Sequence, residues 1–126
     1  MTGDTIPHAV RELIAERLDS VPELEAVLLF RENPGRAWTA EEAGTRLYVS
    51  TTVAAYILET LAARGFFAAA GDTYRYQPEH VDLAIAVDQL AEAYRRHLVA
   101  ITELIHAKPS RQVRDFANAF RLRKPT

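Results

Sequence analysis

The sequence predicts a mostly helical α+β domain, and three observations carry that expectation. Apolar residues recur at helical spacing along most of the chain, with recognisable starts and stops between them. Two short runs, Phe66 to Ala70 and Thr73 to Tyr76, meet at Gly71-Asp72, which has the length and chemistry of a tight hairpin. Finally, 126 residues with 48% hydrophobic composition and no cysteine suffice to bury roughly two-thirds of the unfolded surface in one core without disulfides.

The elements follow in order. Pro7 suits a first helical position, and Val10, Leu13, Ile14 and Leu18 then mark an amphipathic helix. Ser20-Val21-Pro22 repeats the start signal, with Leu24, Val27 and Leu28 as the inward stripe of a second helix that stops before Asn33-Pro34-Gly35. Ala37-Trp38 is a short apolar stretch, and Thr39-Ala40-Glu41-Glu42 reads as a capping box opening a helix from about Ala40 to Leu47. Tyr48-Val49-Ser50 breaks the pattern. Ser50 or Thr51 can cap a fourth helix, with Ala54, Ile57, Leu58 and Leu61 inward and Gly65 at its end. The hairpin follows, closed by Pro78. No Pro or Gly interrupts Glu79 to Lys108, so one helix of about thirty residues is predicted there, followed from Pro109 by a last short helix to about Leu122. Four segments result: 1–20, an N-terminal helix; 21–78, a compact unit; 79–108, the long helix; and 109–126, a tail.

Helix, helix, short strand, capped helix, turn, helix, Arg-Gly, hairpin is the order of a winged helix-turn-helix domain. Ala-Trp-Thr-Ala-Glu-Glu-Ala-Gly-Thr-Arg-Leu-Tyr-Val-Ser (37 to 50) and Leu-Glu-Thr-Leu-Ala-Ala-Arg-Gly-Phe (58 to 66) resemble the winged-helix cores of MarR- and PadR-type bacterial transcription regulators, over about residues 21 to 78. The resemblance implies a fourth helix that enters the major groove of double-stranded DNA and a hairpin that lies along its backbone. On that helix the period points Thr51, Thr52, Ala55, Tyr56 and Glu59 at the groove, and none is basic. Thr51, Thr52 and Tyr56 can donate to phosphates or read a thymine methyl, whereas Glu59 repels the backbone unless it accepts from a cytosine amine. The cations left to meet phosphates are Arg36, Arg46 and Arg75, since residues 21 to 78 hold five arginines against seven acids. Tyr48 occupies a turn position where such regulators often carry Gly.

In the long helix Ala84, Val87, Ala91, Tyr94, Leu98, Ile101 and Ile105 form a sustained seam, widened by Leu83, Leu90 and Leu104. So broad a stripe is expected to pack against the first helix on one side and a second subunit on the other, as the dimerisation helices of the resembled regulators do; Val87, Ala91, Tyr94, Leu98, Ile101 and Ile105 are the expected homodimer contacts. Charge divides the chain: residues 1–108 carry ten basic and sixteen acidic side chains, net −6, and residues 109–126 carry five and one, net +4. In that tail Val113, Phe116, Ala117 and Phe120 share one helical face, among Arg111, Arg114, Arg121, Arg123 and Lys124. It is expected either to cover the end of the dimer seam or to reach phosphates of DNA or an anionic membrane surface.

Other chemistries find little footing. His8, His80, His97 and His106 include no i,i+4 pair and no cysteine helps them, so no metal is expected. Glu42 is accounted for by the capping box, which leaves Glu41 without a catalytic partner. No phosphate-binding glycine loop or nucleophile elbow occurs, and neither enzymatic activity nor a cofactor is expected. Trp38 and Tyr94 suit core positions better than an effector pocket, and Tyr74-Arg75-Tyr76 fits a phosphate-gripping wing or an ordinary edge strand. The longest apolar runs, Ala26 to Phe30 and Phe66 to Ala70, are far short of a membrane span, and Met1 to Pro7 shows no secretion signal, so a cytoplasmic protein is expected. The functional expectation is a homodimeric DNA-binding transcription regulator. Its alternatives are a winged-helix module that docks onto a protein partner and a peripheral anchor held by the basic tail.

Overall fold

Three of the six helices among the described residues, α2, α3 and α4, begin where a side chain takes up an amide that the helix leaves unpaired. The computed structural model describes residues 6–109, so the expected helix over the basic tail lies outside the described residues. Helix α1 (His8–Arg17) follows Pro7. Helix α2 (Val21–Glu32) is capped by Ser20, whose hydroxyl accepts from the Glu23 amide at 3.2 Å. Strand β1 (Trp38–Thr39) leads into α3 (Ala40–Leu47), where Thr39 and Glu42 form the expected capping box: the Thr39 hydroxyl accepts from the Glu42 amide at 3.1 Å and the Glu42 carboxylate from the Thr39 amide at 3.0 Å. Ser50 caps α4 (Thr51–Ala63) by accepting from the Val53 amide at 3.1 Å. Such caps contribute about 1 kcal/mol each.

Strands β2 (Phe67–Ala70) and β3 (Thr73–Tyr76) are joined by Gly71-Asp72, with Gly71 at φ 62°. The sheet is antiparallel in the order β1-β3-β2, and Trp38 opposes Tyr74 while Phe67 opposes Tyr76. Opposed residues share a face. That face turns inward, and Phe67, Phe30 and Trp38 stack with ring centroids 4.2 and 5.2 Å apart in succession. Around this stack gather Val10, Ile14, Leu24, Val27, Leu58 and Leu61, all but completely buried. The fold is therefore α+β, with six helices and one small sheet among the described residues.

The helix expected over 79–108 is corrected by the structure. It divides into α5 (Val81–Arg96) and α6 (Leu98–His106), with His97 at φ −133° and ψ 50° between them. No proline or glycine is needed, because burial of Ile101 and Ile105 against α1 outweighs helix continuity. The break costs little hydrogen bonding: the His97 amide donates to the Ala93 carbonyl at 2.7 Å and the Ile101 amide to the His97 carbonyl at 2.9 Å. No helix among the described residues is long and apolar enough to cross a membrane.

Candidate nucleic-acid interface and the clamp behind it

The C-terminal end of α4 is held by charge. Arg64 follows the last helical residue and donates to the Asp19 carboxylate at 2.9 Å, to Glu23 at 3.1 Å and to the Arg17 carbonyl at 2.7 Å. Arg17 reciprocates, donating to the Arg64 carbonyl and, at 3.0 Å, to Glu79. Lys108 closes the group from the end of α6: its ammonium donates to the Ile14 and Leu18 carbonyls at 2.6 and 2.7 Å and to Asp19 at 3.0 Å. The Arg64 and Asp19 side chains are each only 16% exposed. In such a setting the pairing offsets desolvation only because the remaining donors and acceptors are also taken up. Gly65 is required beside it. Its φ is 93°, and a Cβ there would fall 2.4 Å from the Glu79 side chain.

The N-terminal end of α4 is held by close backbone packing and is otherwise bare. Gly44 lets the turn approach α3, since a Cβ would stand 2.9 Å from the Val49 carbonyl oxygen. The turn passes through Tyr48 at φ 60° and ψ 40°, the left-handed region, with its side chain 94% exposed. Of the side chains expected to face a groove, Thr51, Thr52 and Tyr56 are exposed and Ala55 is half-buried. Val53 is exposed beside them. Glu59 is exposed, and its carboxylate pushes the Tyr74 pKa up, second to the effect of burial.

The structure brings two of the three expected cations together. The Arg36 guanidinium lies 3.7 Å over the Trp38 ring and that of Arg46 lies 5.6 Å from it, so the two are at most 9.3 Å apart, the sum of those distances. Trp38 is thereby fully buried in a two-residue strand. Arg75 sits on β3 opposite Ala68, on the outer face of the sheet. None of the three forms an ion pair among the described residues. Their donors are available to an anion.

The six residues expected at a dimer seam are divided. Val87, Ile101 and Ile105 are buried in the chain's own core, Ala91 and Tyr94 are half-buried, and Leu98 is 53% exposed. Tyr94 lines an open groove of about 470 Å³ between α2, α3 and α5, with Leu28, Leu29 and Leu47 as its apolar lining and Glu25, Glu32, Arg46 and Tyr48 beside them. Its hydroxyl donates to Glu25 at 3.3 Å; burial first, then that carboxylate, raises the Tyr94 pKa. No family model, curated protein or solved structure matches the chain.

Sequence reasoning missed the roles of Arg17, Arg64 and Lys108. Their partners lie 41 to 94 residues away, beyond any local pattern. The only signal available was the Arg64-Gly65 pair at the end of α4, which is where the clamp closes.

Proposed function

We propose that the chain is a winged helix-turn-helix protein that binds double-stranded DNA as a homodimer and regulates transcription, as the resemblance to MarR- and PadR-type regulators implies. The observation that carries this reading is an exposed, uncharged first stretch of α4 (Thr51, Thr52, Tyr56) on a domain whose Arg36, Arg46 and Arg75 have no ion-pair partner among the described residues. In this reading α4 enters the major groove, the β2–β3 hairpin is the wing, and the three arginines hold phosphates. Leu98, with Val99 beside it and Val81 and Ile85 on α5, supplies the exposed apolar surface for the second subunit.

Selection of bound sequences from a random duplex pool tests the proposal, and enrichment of a pseudo-palindrome is the expected result. Six arginines on phosphates, three per subunit, give a slope of log affinity against log salt of about −5. Arg75→Ala is expected to weaken binding about equally across sequences and Tyr56→Ala to change sequence preference. Replacing Leu98 and Val99 by Asp is expected to give folded monomers by light scattering.

The absence of a basic side chain on the exposed face of α4 favours a second reading, a winged-helix module that docks onto a protein. Failure of the pool to yield any bound duplex at low salt would select it.

A further inference from the structure

Tyr48 ends α3 in the left-handed conformation, its amide donating to the Gly44 carbonyl, while its side chain stands in solvent. A left-handed residue with a Cβ costs about 1–2 kcal/mol relative to the right-handed form, glycine escapes that cost, and the phenol is 94% exposed. The backbone conformation serves the α3–α4 turn, but a tyrosine where glycine would be easier leaves an aromatic ring in solvent that can meet another surface. Tyr48 also borders the groove of Leu28, Leu29, Leu47 and Tyr94, whose outer residues on α2, Glu25 and Glu32, are both exposed carboxylates. The surface therefore combines an apolar lining, an aromatic post and an acidic side.

The chain contains a segment of matching chemistry. Residues 110–126 carry five basic side chains and one acidic one, and they place Val113, Phe116 and Phe120 at spacings of three and four. The segment also starts close by. Lys108 is pinned to Asp19, just before α2, and the groove runs along α2 from Glu25 to Glu32. At 1.5 Å per residue, Glu25 lies about 9 Å along the α2 direction from Asp19. Seventeen residues follow Pro109, and their fully extended reach is about 56 Å. Reach is ample even if the segment must cross to another face of α2.

We propose that the basic segment 110–126 docks in the α2–α3–α5 groove, its phenylalanines against Leu28, Leu29 and Leu47 beside Tyr48 and its cations on Glu25 and Glu32. Arg46 lies at the same groove, so a docked segment competes with any anion that Arg46 would hold. The inference does not depend on DNA binding.

The full chain has no cysteine, so Asn118→Cys gives one site for a nitroxide label. The expected result is paramagnetic broadening of amide signals of Glu25 to Glu32 and Arg46 to Tyr48, in the absence of nucleic acid. Glu25→Lys with Glu32→Lys should abolish it. Tyr48→Gly, which relieves the backbone and keeps the fold, should lower the docking equilibrium constant about fivefold, as loss of an interface side chain worth about 1 kcal/mol does. Amide signals outside the groove serve as the control for folding. Mixing labelled chains with isotope-enriched unlabelled ones separates the sources: broadening of the same amides in the mixture assigns the groove to the segment of a second copy. Broadening elsewhere, broadening unchanged in both variants, or none at all overturns the proposal. None of these results bears on the duplex selection above, so the two readings fail separately.

Discussion

The two ends of α4 are held by opposite means. At its C-terminus, Arg64 joins Asp19, Glu23 and the Arg17 carbonyl in a nearly closed group that also receives Lys108. At its N-terminus there is a serine cap, a strained tyrosine and a row of uncharged side chains facing solvent. The difference teaches how a helix is presented: the clamp sets its direction from behind, and the leading turns are left without internal partners. In the proposed reading of α4 as a recognition helix, an anchored back and a bare front would suit binding, because an ordered front costs less entropy on association.

The largest expected effect breaks the clamp. Arg64→Ala removes the cation that Asp19 and Glu23 share, and loss of one partner from so buried a group is expected to lower stability by about 3–5 kcal/mol, read from the urea midpoint at constant m-value. A loss below about 1 kcal/mol, the worth of a surface pair, would show that packing alone sets α4.

The next effect concerns the front. Gly44→Ala places a Cβ 2.9 Å from a backbone carbonyl oxygen that cannot swing aside. Overpacking of about 1–3 kcal/mol should exceed the ~1 kcal/mol gained in helix propensity. A more stable variant would mean that the α3–α4 turn gives way easily. In a chain shortened to residues 1–109, where no segment can dock beside it, Tyr48→Gly is expected to do the reverse and raise stability by about 1 kcal/mol, since it removes left-handed strain without removing a packed side chain.

The smallest effect is visible only in alkali. Burial, then the Asp88 carboxylate, raises the Tyr76 pKa to about 12, with Arg31 opposing. The folded chain thus holds the Tyr76 proton above pH 10, where the unfolded chain releases it. Stability is unaffected below about pH 10 and falls as pH rises toward 12. Tyr76→Phe should remove that part of the alkaline decline, read as unfolding midpoints at pH 9 and 11. At neutral pH it should be close to neutral or stabilising, because the buried Tyr76 hydroxyl has no hydrogen-bond partner among the described residues. An equal decline in both proteins would place the ionisation elsewhere.

Much of the fold was legible in the sequence. Ser20, the Thr39/Glu42 box and Ser50 act on amides three residues away, so their meaning is contained in a four-residue window. The inward set Ala54, Ile57, Leu58 and Leu61 is a helical period, and all four are buried. The hairpin turn at Gly71-Asp72 was equally local. The candidate site was legible only as residue types. That Arg36 and Arg46 lie over Trp38, and that the Glu59 carboxylate acts on the Tyr74 phenol, depends on which elements stand side by side.

The sequence by itself determined helices α1 to α4, the strands, the caps of α2, α3 and α4 and the order in which these elements follow. Those features arise from interactions within one turn of backbone, where chain connectivity already brings the partners together. The tertiary structure alone decided that the chain turns at His97, sending Ile101 and Ile105 into the core and leaving Leu98 exposed. It also decided that Arg64 and Lys108 meet at Asp19 across 45 and 89 residues. A periodic apolar stripe records that a face will be buried but carries no mark of its partner, and an isolated charge carries no mark of the ion it will pair with. Both are settled only when the helices pack and the competing burials are compared.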